Sequence, residues 1–499
     1  MRNGLFAIAE KRYATQLPRL RQMRCFPRRA LPFLNLYCGG FRMGLDWTTI
    51  DRFLFGQAWT GSRIAERAGV LCEEIGPRWA TSPAERRAAE YLRAQFAEDG
   101  LEGAELEAFQ LPTWEYTRAE AALLGEEMAL DLRPFNRCPP CKITAPVVDV
   151  QFGTERHVEA ARAALSGAIA VMNIAYEPFT APVPLYVRLQ TLAAAGVAAV
   201  VCVDSKDGRR VEYHNAGDWR APESAEAPVP CVTTSREHGA WLRRQGGQSL
   251  SLHVESRFYD APTQNVVAHL SGEHWPEQQI VLVGHHDTVL GTAGGNDNAS
   301  GTLAVLETAR TLSALRQEMG VAPGCTLRFA TLSAEEQRLA GAAEYARRHC
   351  SSGEQTRLVV NLDELSTGHM KGMVLAFDHL QPLVQRQLDA LGDGLQCHAM
   401  AQLDSTSDHY PFLRLGVDAA HLWRWRFHGR HADSNYHHEG ADTRDKINVR
   451  ELKEYAGQLA RILLRLSHVP PQEWPDNSQT EQTVAARVEA ERGQVIRVY

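Results

Sequence analysis

The sequence predicts an α/β fold with room for more than one unit, on three observations. Short apolar runs rich in β-branched residues, at Ile280 to Val283, Cys325 to Leu332 and Leu358 to Leu362, read as buried strands. Stretches with apolar residues at helical spacing stand between them, Leu303-Leu306-Ala309-Leu312 and Leu339 to Arg348. A chain of 499 residues also exceeds one average core and suggests two or three units.

Residues 1–45 stand apart as a basic extension outside the fold. They carry Arg2, Lys11, Arg12, Arg19, Arg21, Arg24, Arg28, Arg29 and Arg42, with Glu10 as their one acid. The apolar piece from Ala30 to Cys38 is short and interrupted by Pro32 and Asn35. It reads as a poor signal peptide, as a transit-like segment, or as an extension ahead of a folded part that begins at Met43.

From Asp46 to about Leu111 the pattern is helical. Ser82-Pro83 opens one helix as cap and first-turn proline, Ala88, Tyr91, Leu92, Gln95 and Phe96 run along it, and Gly100 closes it.

Residues 115–257 change character. Strand-like runs at Gly167 to Met172 and Ala198 to Val203 flank a helical stretch, Leu185 to Ala195, that ends at Gly196. Pro228-Val229-Pro230-Cys231-Val232 and a short helix through Trp241 and Leu242 follow. Cys138 and Cys141 have Cys-x-x-Cys spacing, but no second pair accompanies them, so two thiols in a turn are expected rather than a redox or zinc site. Ten cysteines in a chain this long are not a disulfide framework.

The chemistry lies within residues 258–470, in five separated pieces. The segment Gly284 to Gly301, reading GHHDTVLGTAGGNDNASG, places His285 and Asp287 after a strand and Asp297 ahead of a helix. Glu335-Glu336 and Asp363 end two further strands. Ser407-Asp408-His409 and the run YHHEGADT from Tyr436 to Thr443 complete the set. A catalytic divalent metal needs a few imidazole and carboxylate ligands with a position left for water, and two metals share a bridging carboxylate. Taken alone, Asp297 is an N-cap and the Glu335-Glu336 pair a solvated helix start. With the His-x-Asp spacing beside them, one glutamate can ligate while its neighbour acts as general base. On extended backbone, residues two apart point the same way, so Asp287 is placed to orient the His285 imidazole. No Gly-x-Ser-x-Gly elbow is present, which disfavours a serine triad. A helical stripe at Leu452, Tyr455, Leu459, Ile462, Leu463 and Leu466 closes the core, and the polar residues 471–499 read as a poorly packed tail.

In this order and setting the motifs between Val281 and Ile447 resemble the co-catalytic zinc aminopeptidases and carboxypeptidases, the family of bacterial leucyl aminopeptidases and plasma glutamate carboxypeptidase, with glutaminyl cyclase as a mono-zinc relative. The resemblance extends more loosely from about Asp46. It implies a three-layer α/β/α zinc peptidase domain around a mixed sheet, begun by residues 46–114 and resumed at 258–470. It also implies that 115–257 is an inserted, smaller, β-rich protease-associated-like domain. Two zinc ions per chain follow: His285 and Asp363 hold one, Glu336 and His438 the other, and Asp297 bridges them. Glu335 becomes the general base acting on a water held by the metals.

Members of the family place the last ligand four residues before the Asp of an Asp-Thr pair, here Asp442, which selects His438 with His437 as runner-up. The oxyanion-stabilising tyrosine that often precedes this ligand is replaced by His437, which takes either the oxyanion or the alternative-ligand role. Asp408 is assigned to the substrate pocket or to the surroundings of the ligands. His286, His421, His428 and His431 are expected to pack, hydrogen-bond or line the pocket rather than ligate.

The function expected is hydrolysis of N-terminal residues from a peptide substrate, with dipeptidase or carboxypeptidase as close variants. A mono-zinc acyltransferase of the glutaminyl cyclase type and a non-catalytic binding module are the alternatives, both disfavoured by the complete ligand set. A net charge of -7 argues against a general nucleic-acid surface, and 44% hydrophobic with 23% charged residues is ordinary for a soluble enzyme. No run of about twenty apolar residues exists to span a membrane. The cytoplasm is the expected location, with secretion as the alternative.

Overall fold

The computed structural model describes residues 45–490 apart from 127, 218–225, 351–354, 366–369, 393–396 and 423–435. The readings placed on 1–44 and on His428 and His431 lie outside the described residues. Helices α1 (Trp47–Thr60), α2 (Ile64–Gly69) and α3 (Pro83–Glu98) come first. The Ser82 side chain accepts the Glu85 N–H and Pro83 fills the first turn of α3, so cap and proline start the helix together. Gly100 ends it with φ +80°, and the chain enters strand β1 (Glu102–Leu123). The helical reading through Leu111 is therefore corrected: beyond Gly100, exposure alternates residue by residue, the period of a strand.

Strands β2 (Leu132–Pro134) and β3 (Cys141–Asp149), helix α4 (Glu155–Leu165), β4 (Ile169–Asn173), α5 (Leu185–Ala194), β5 (Ala199–Val203), β6 (Cys231–Thr234) and α6 (Arg236–Arg243) follow. β3 to β6 pair in parallel and β2 adds antiparallel to β6. Alternate residues of β4 and β5 enter separate cores, Ile169, Val171 and Val201 on one face, Ala170, Met172 and Val200 against α4 and α5 on the other.

Strand β7 (Ser249–Leu270) pairs with β1 along nearly its whole length, and this ribbon joins the two halves of the sheet. The Ser249–Val254 end of β7 pairs with β3. Its Val266–Leu270 end pairs with β9 (Cys325–Leu332), which lies beside β8 (Trp275–His285). Helices α7 (Gly301–Met319) and α8 (Ala340–His349), β10 (Gln355–Asn361), β11 (Gly372–Leu375), α9 (Gln381–Asp389), β12 (His398–Ala401), α10 (His409–Arg414), β13 (Ala419–Leu422), α11 (Val449–Ser467) and α12 (Glu481–Ala490) complete the described chain.

β9, β8, β10 and β13 are parallel neighbours, with β7 and β11 antiparallel at their flanks, giving a mixed sheet. α1, α7 and α11 pack together on one side. The other face, with Val281, Val283, Leu332 and Val359, meets Tyr345 of α8 and Phe412 of α10. The domain is thus a helix/sheet/helix sandwich. Residues after Pro470, read as poorly packed, in fact include α12, whose Val484 and Val488 join this core. None of the described helices is long and apolar enough to cross a membrane.

Candidate metal centre

Three adjacent parallel strands end at one edge. β8 finishes on His285, in register with Leu332 of β9, and Asn361 of β10 stands opposite Val283. Each chain then turns out of the sheet carrying its acids: Asp287 after β8, Glu335 and Glu336 after β9, Asp363 after β10. The carboxyl ends of parallel strands are where open α/β sheets take ligands.

The fourth and fifth groups come from loops laid over this edge. Asp297 sits in a distorted turn, Gly295–Ser300, ahead of α7. Gly301 lets that turn approach the third strand end, because a Cβ there would lie 2.2 Å from the Leu362 carbonyl oxygen. Asn298 fastens the contact, donating to the Leu362 carbonyl (2.9 Å) and accepting from the Glu364 N–H (3.2 Å). Asp297 then divides its two oxygens. Oδ1 faces His285 Nε2 at 3.2 Å, and Oδ2 faces His438 Nε2 at 3.4 Å.

The remaining donors group around these imidazoles. Asp363 Oδ1 lies 3.4 Å from His285 Nε2, and Glu336 Oε2 lies 3.0 Å from His438 Nε2. Glu335 Oε2 stands further off, 3.9 Å from His285 Nε2. His437 stacks on His438 with ring centroids 3.7 Å apart, and its Nδ1 lies 3.1 Å from Asp297 Oδ2 and 3.3 Å from Glu364 Oε1. Both histidines of the pair are thus drawn into the cluster, but the His438 imidazole alone meets Glu336.

Asp408 lies within electrostatic reach of His285, Asp287, Asp363 and Glu336. It is fully buried, and neither of its oxygens has a hydrogen-bond partner among the described residues. Burial, reinforced by Asp287, Asp363 and Glu336 and opposed by His285, raises its pKa well above the usual range.

Further side chains hold these groups in place. Asp287 reaches the His285 Nδ1 with its side chain at 3.5 Å and its own carbonyl at 3.2 Å, and its carboxylate also accepts the Glu335 and Glu336 N–H groups. Asp442 accepts the N–H groups of Asn296 (2.7 Å) and Asp297 (2.8 Å). Burial pushes the Asp442 carboxyl up to about 7 against those two bonds. Ser407 Oγ donates to Asp363 Oδ2 and accepts from Asn361, fixing the carboxylate. Asp442 was legible only as a spacing marker, and Ser407 only as part of a run with Asp408.

Electrostatics fit this donor set to cations. Burial raises the Glu335 pKa well above the usual range, with Glu336, Asp408 and Asp363 adding to it and His285 opposing. Glu336 is raised for the same first reason. His285 gains protons despite its burial, because Glu335 and the other carboxylates outweigh desolvation. Asp297 is held well below its usual value, its burial outweighed by His285, His437 and His438. The cluster thus concentrates more negative charge than two or three imidazoles balance. His285 Nε2 and Glu336 Oε1 are buried without a hydrogen-bond partner among the described residues. Donor separations of 3.0 to 3.4 Å match the edge, about 3.4 Å, of a tetrahedron with zinc–ligand bonds of about 2.1 Å. The residues present therefore fit divalent metal.

Other candidates are satisfied elsewhere. His286 Nε2 meets Glu85 at 3.0 Å, both side chains being buried. His421 pairs with Asp404 at 3.1 Å. Cys138 is buried, which raises its thiol to about 12, and Cys141 is raised by burial as well, so neither is a ready thiolate.

Residues 265–463 match the model of Peptidase family M28. The chain is 27% identical to bovine carboxypeptidase Q over 407 residues, 77% of this chain and 82% of that one. It is 27% identical to mouse carboxypeptidase Q over a segment spanning 60% of this chain and 65% of the relative. Aminopeptidase YwaD of Bacillus subtilis is 26% identical over 71% of this chain and 73% of its own. In fold the chain resembles a peptidase M28 precursor from Shewanella amazonensis, with TM-score 0.72, 19% identity and coverage of 87% of this chain and 99% of that one. It also resembles the zinc aminopeptidase BSAP of Bacillus subtilis, with TM-score 0.65, 20% identity and coverage of 83% and 98%. The ligands and base assigned from the sequence, from His285 to His438, all lie within the segment that matches Peptidase family M28.

Proposed function

We propose that this chain, built around its M28 domain, is a di-zinc aminopeptidase. The observation that carries the reading is the division of Asp297, one carboxylate oxygen facing His285 and the other facing His438. That is the arrangement a carboxylate shared by two metals requires. His285 and Asp363 would hold one zinc, His438 and Glu336 the second, and Asp297 would bridge.

Bound there, the metals supply a Lewis acid for the peptide carbonyl and lower the pKa of a water. The residues do the rest. Glu335 stands back from the donor groups, 3.9 Å from His285, with a raised affinity for a proton. It takes the proton from the attacking water and returns it to the leaving amine. Asp287 holds His285 and the Glu335 backbone in one frame, so ligand and base keep their separation. His437, with Nδ1 on the cluster, is the nearest imidazole beyond the ligand set to stabilise the oxyanion.

Charge supports the N-terminal end as the one read. Glu364 adds a carboxylate beside His437 beyond those needed as ligands. An acidic surround favours a free ammonium and repels a free carboxylate.

Zinc content together with hydrolysis of aminoacyl anilides and their N-acetylated counterparts tests this. About two zinc ions per chain and cleavage restricted to free-amine substrates are expected. Cleavage that requires a free carboxylate on the substrate would overturn the aminopeptidase reading, and a folded chain that binds no metal would overturn all of it.

A further inference from the structure

Loop 436–442 makes two internal backbone hydrogen bonds, Glu439 N–H to the Tyr436 carbonyl (3.3 Å) and Asp442 N–H to the Glu439 carbonyl (3.0 Å), and takes further support from outside. His438 has φ +56°, the left-handed region that a residue with a Cβ occupies only when its surroundings impose it. Those surroundings come from residues 115–257. The His438 carbonyl accepts from the Tyr213 N–H (2.9 Å) and from Arg133 Nη1 (3.0 Å). Its Nδ1 faces the Tyr213 carbonyl at 3.1 Å, and a carbonyl there accepts only from a protonated Nδ1. That tautomer leaves the lone pair on Nε2, the atom turned to Glu336 and Asp297.

Two cations lock the arrangement. Arg133 also donates to the Leu290 carbonyl and lies 3.3 Å from Thr292 Oγ1, tying the loop after Asp287 to the loop of His438. Lys206 is buried between Glu212 and Glu439, 2.7 Å from each, with the His437 carbonyl at 3.4 Å. A buried ammonium between the buried Glu439 and the half-buried Glu212 is a directional anchor, because removing it leaves the Glu439 charge next to His438 with Arg210, at 3.4 Å, as its remaining partner among the described residues.

We propose that residues 115–257 are an integral part of the metal centre, with Arg133, Lys206 and the Tyr213 backbone as positioning groups that set the conformation and tautomer of His438 and so determine metal retention. This rests on His438 being a ligand. It makes the segment a structural contributor to one of the two metal sites.

The test compares zinc release to a chelator from wild type, Arg133→Met, Lys206→Met and His438→Ala, with folding followed in parallel. Arg209→Ala serves as control, since Arg209 pairs with Asp131 in the same segment but is exposed. Arg133→Met and Lys206→Met should release one zinc per chain about 10- to 100-fold faster, hold the other as wild type does, and be rescued by excess zinc. If Lys206→Met fails to fold, Arg133→Met decides the matter, because the His438 carbonyl keeps its Tyr213 bond there. Release indistinguishable from Arg209→Ala, while His438→Ala loses a zinc, would overturn the positioning role alone. His438→Ala that keeps both zinc ions would overturn the ligand assignment beneath it.

Discussion

Asp287 accepts the backbone N–H of Glu335 at 3.1 Å through the same oxygen that stands 3.5 Å from His285 Nδ1. One carboxylate thus joins the end of β8 to the end of β9, a proposed ligand to the proposed base. Its second oxygen takes the Glu336 N–H at 3.4 Å. Asparagine in its place offers one acceptor oxygen and turns an NH2 toward a backbone donor. Asp287→Asn should lower kcat about 10- to 100-fold with zinc content largely kept, the usual cost of losing a ligand's partner. Unchanged kcat would show that the link has no catalytic role.

Glu335 and Glu336 are neighbours with different surroundings. Glu336 meets His438 at 3.0 Å, whereas the nearest imidazole to Glu335 is His285 at 3.9 Å. Glu335→Gln should therefore bind zinc as wild type does while kcat falls by about 10²- to 10⁴-fold, the range for general-base removal. Glu336→Gln should instead lose metal. Reversal of the two outcomes, read by metal analysis and steady-state rates, would exchange their roles.

Arg78 is fully buried, and among the described residues its guanidinium donates to backbone carbonyls. It donates to His286 (2.8 Å), Leu71 (2.9 Å), Gly76 (2.9 Å), Ala293 (2.8 Å) and Gly294 (3.3 Å). These bonds hold the turn between Asp287 and Asp297 against the helices before α3. Arg78→Met leaves several buried carbonyls without donors and should cost about 3 kcal/mol or more in urea unfolding. A loss below about 1 kcal/mol would mean that water replaces the side chain at little cost.

What the sequence discloses and what it hides follow from range. His285, Glu335-Glu336 and Asp363 are legible because each follows an apolar run, and a parallel sheet brings consecutive run ends to one edge. Arg78, Tyr213 and Asp442 are not, because their partners are remote: Tyr213 meets His438 across 225 residues and Asp442 meets Asp297 across 145. The ribbon of β1 and β7 hides for another reason. β7 pairs with β3 at one end and with β9 at the other, so its two ends meet different surroundings, and β1 follows a helical stretch with no proline between Gly100 and Leu111 to mark the change. Helix α12 is missed because two buried valines in a Glu/Gln-rich tail, Val484 and Val488, are too sparse to register as a stripe.

Asp418 makes stability depend on pH away from the metal centre. It is buried with His379 Nε2 at 3.1 Å, and burial lifts its carboxyl from 3.8 to about 6 although His379 and Asn477 oppose the shift. Between those two values the folded protein keeps a proton that the unfolded chain has released. Its contribution to stability is therefore greatest below about pH 4, falls as pH rises to about 6, and is level above that. A shift of about two pKa units corresponds to at most about 3 kcal/mol. Asp418→Asn cannot titrate, and most other groups cancel when it is compared with wild type. Urea unfolding of both proteins should show the asparagine variant gaining on wild type by about 1 to 3 kcal/mol between about pH 4 and pH 7. A difference independent of pH would mean that burial does not raise the Asp418 carboxyl in the folded protein.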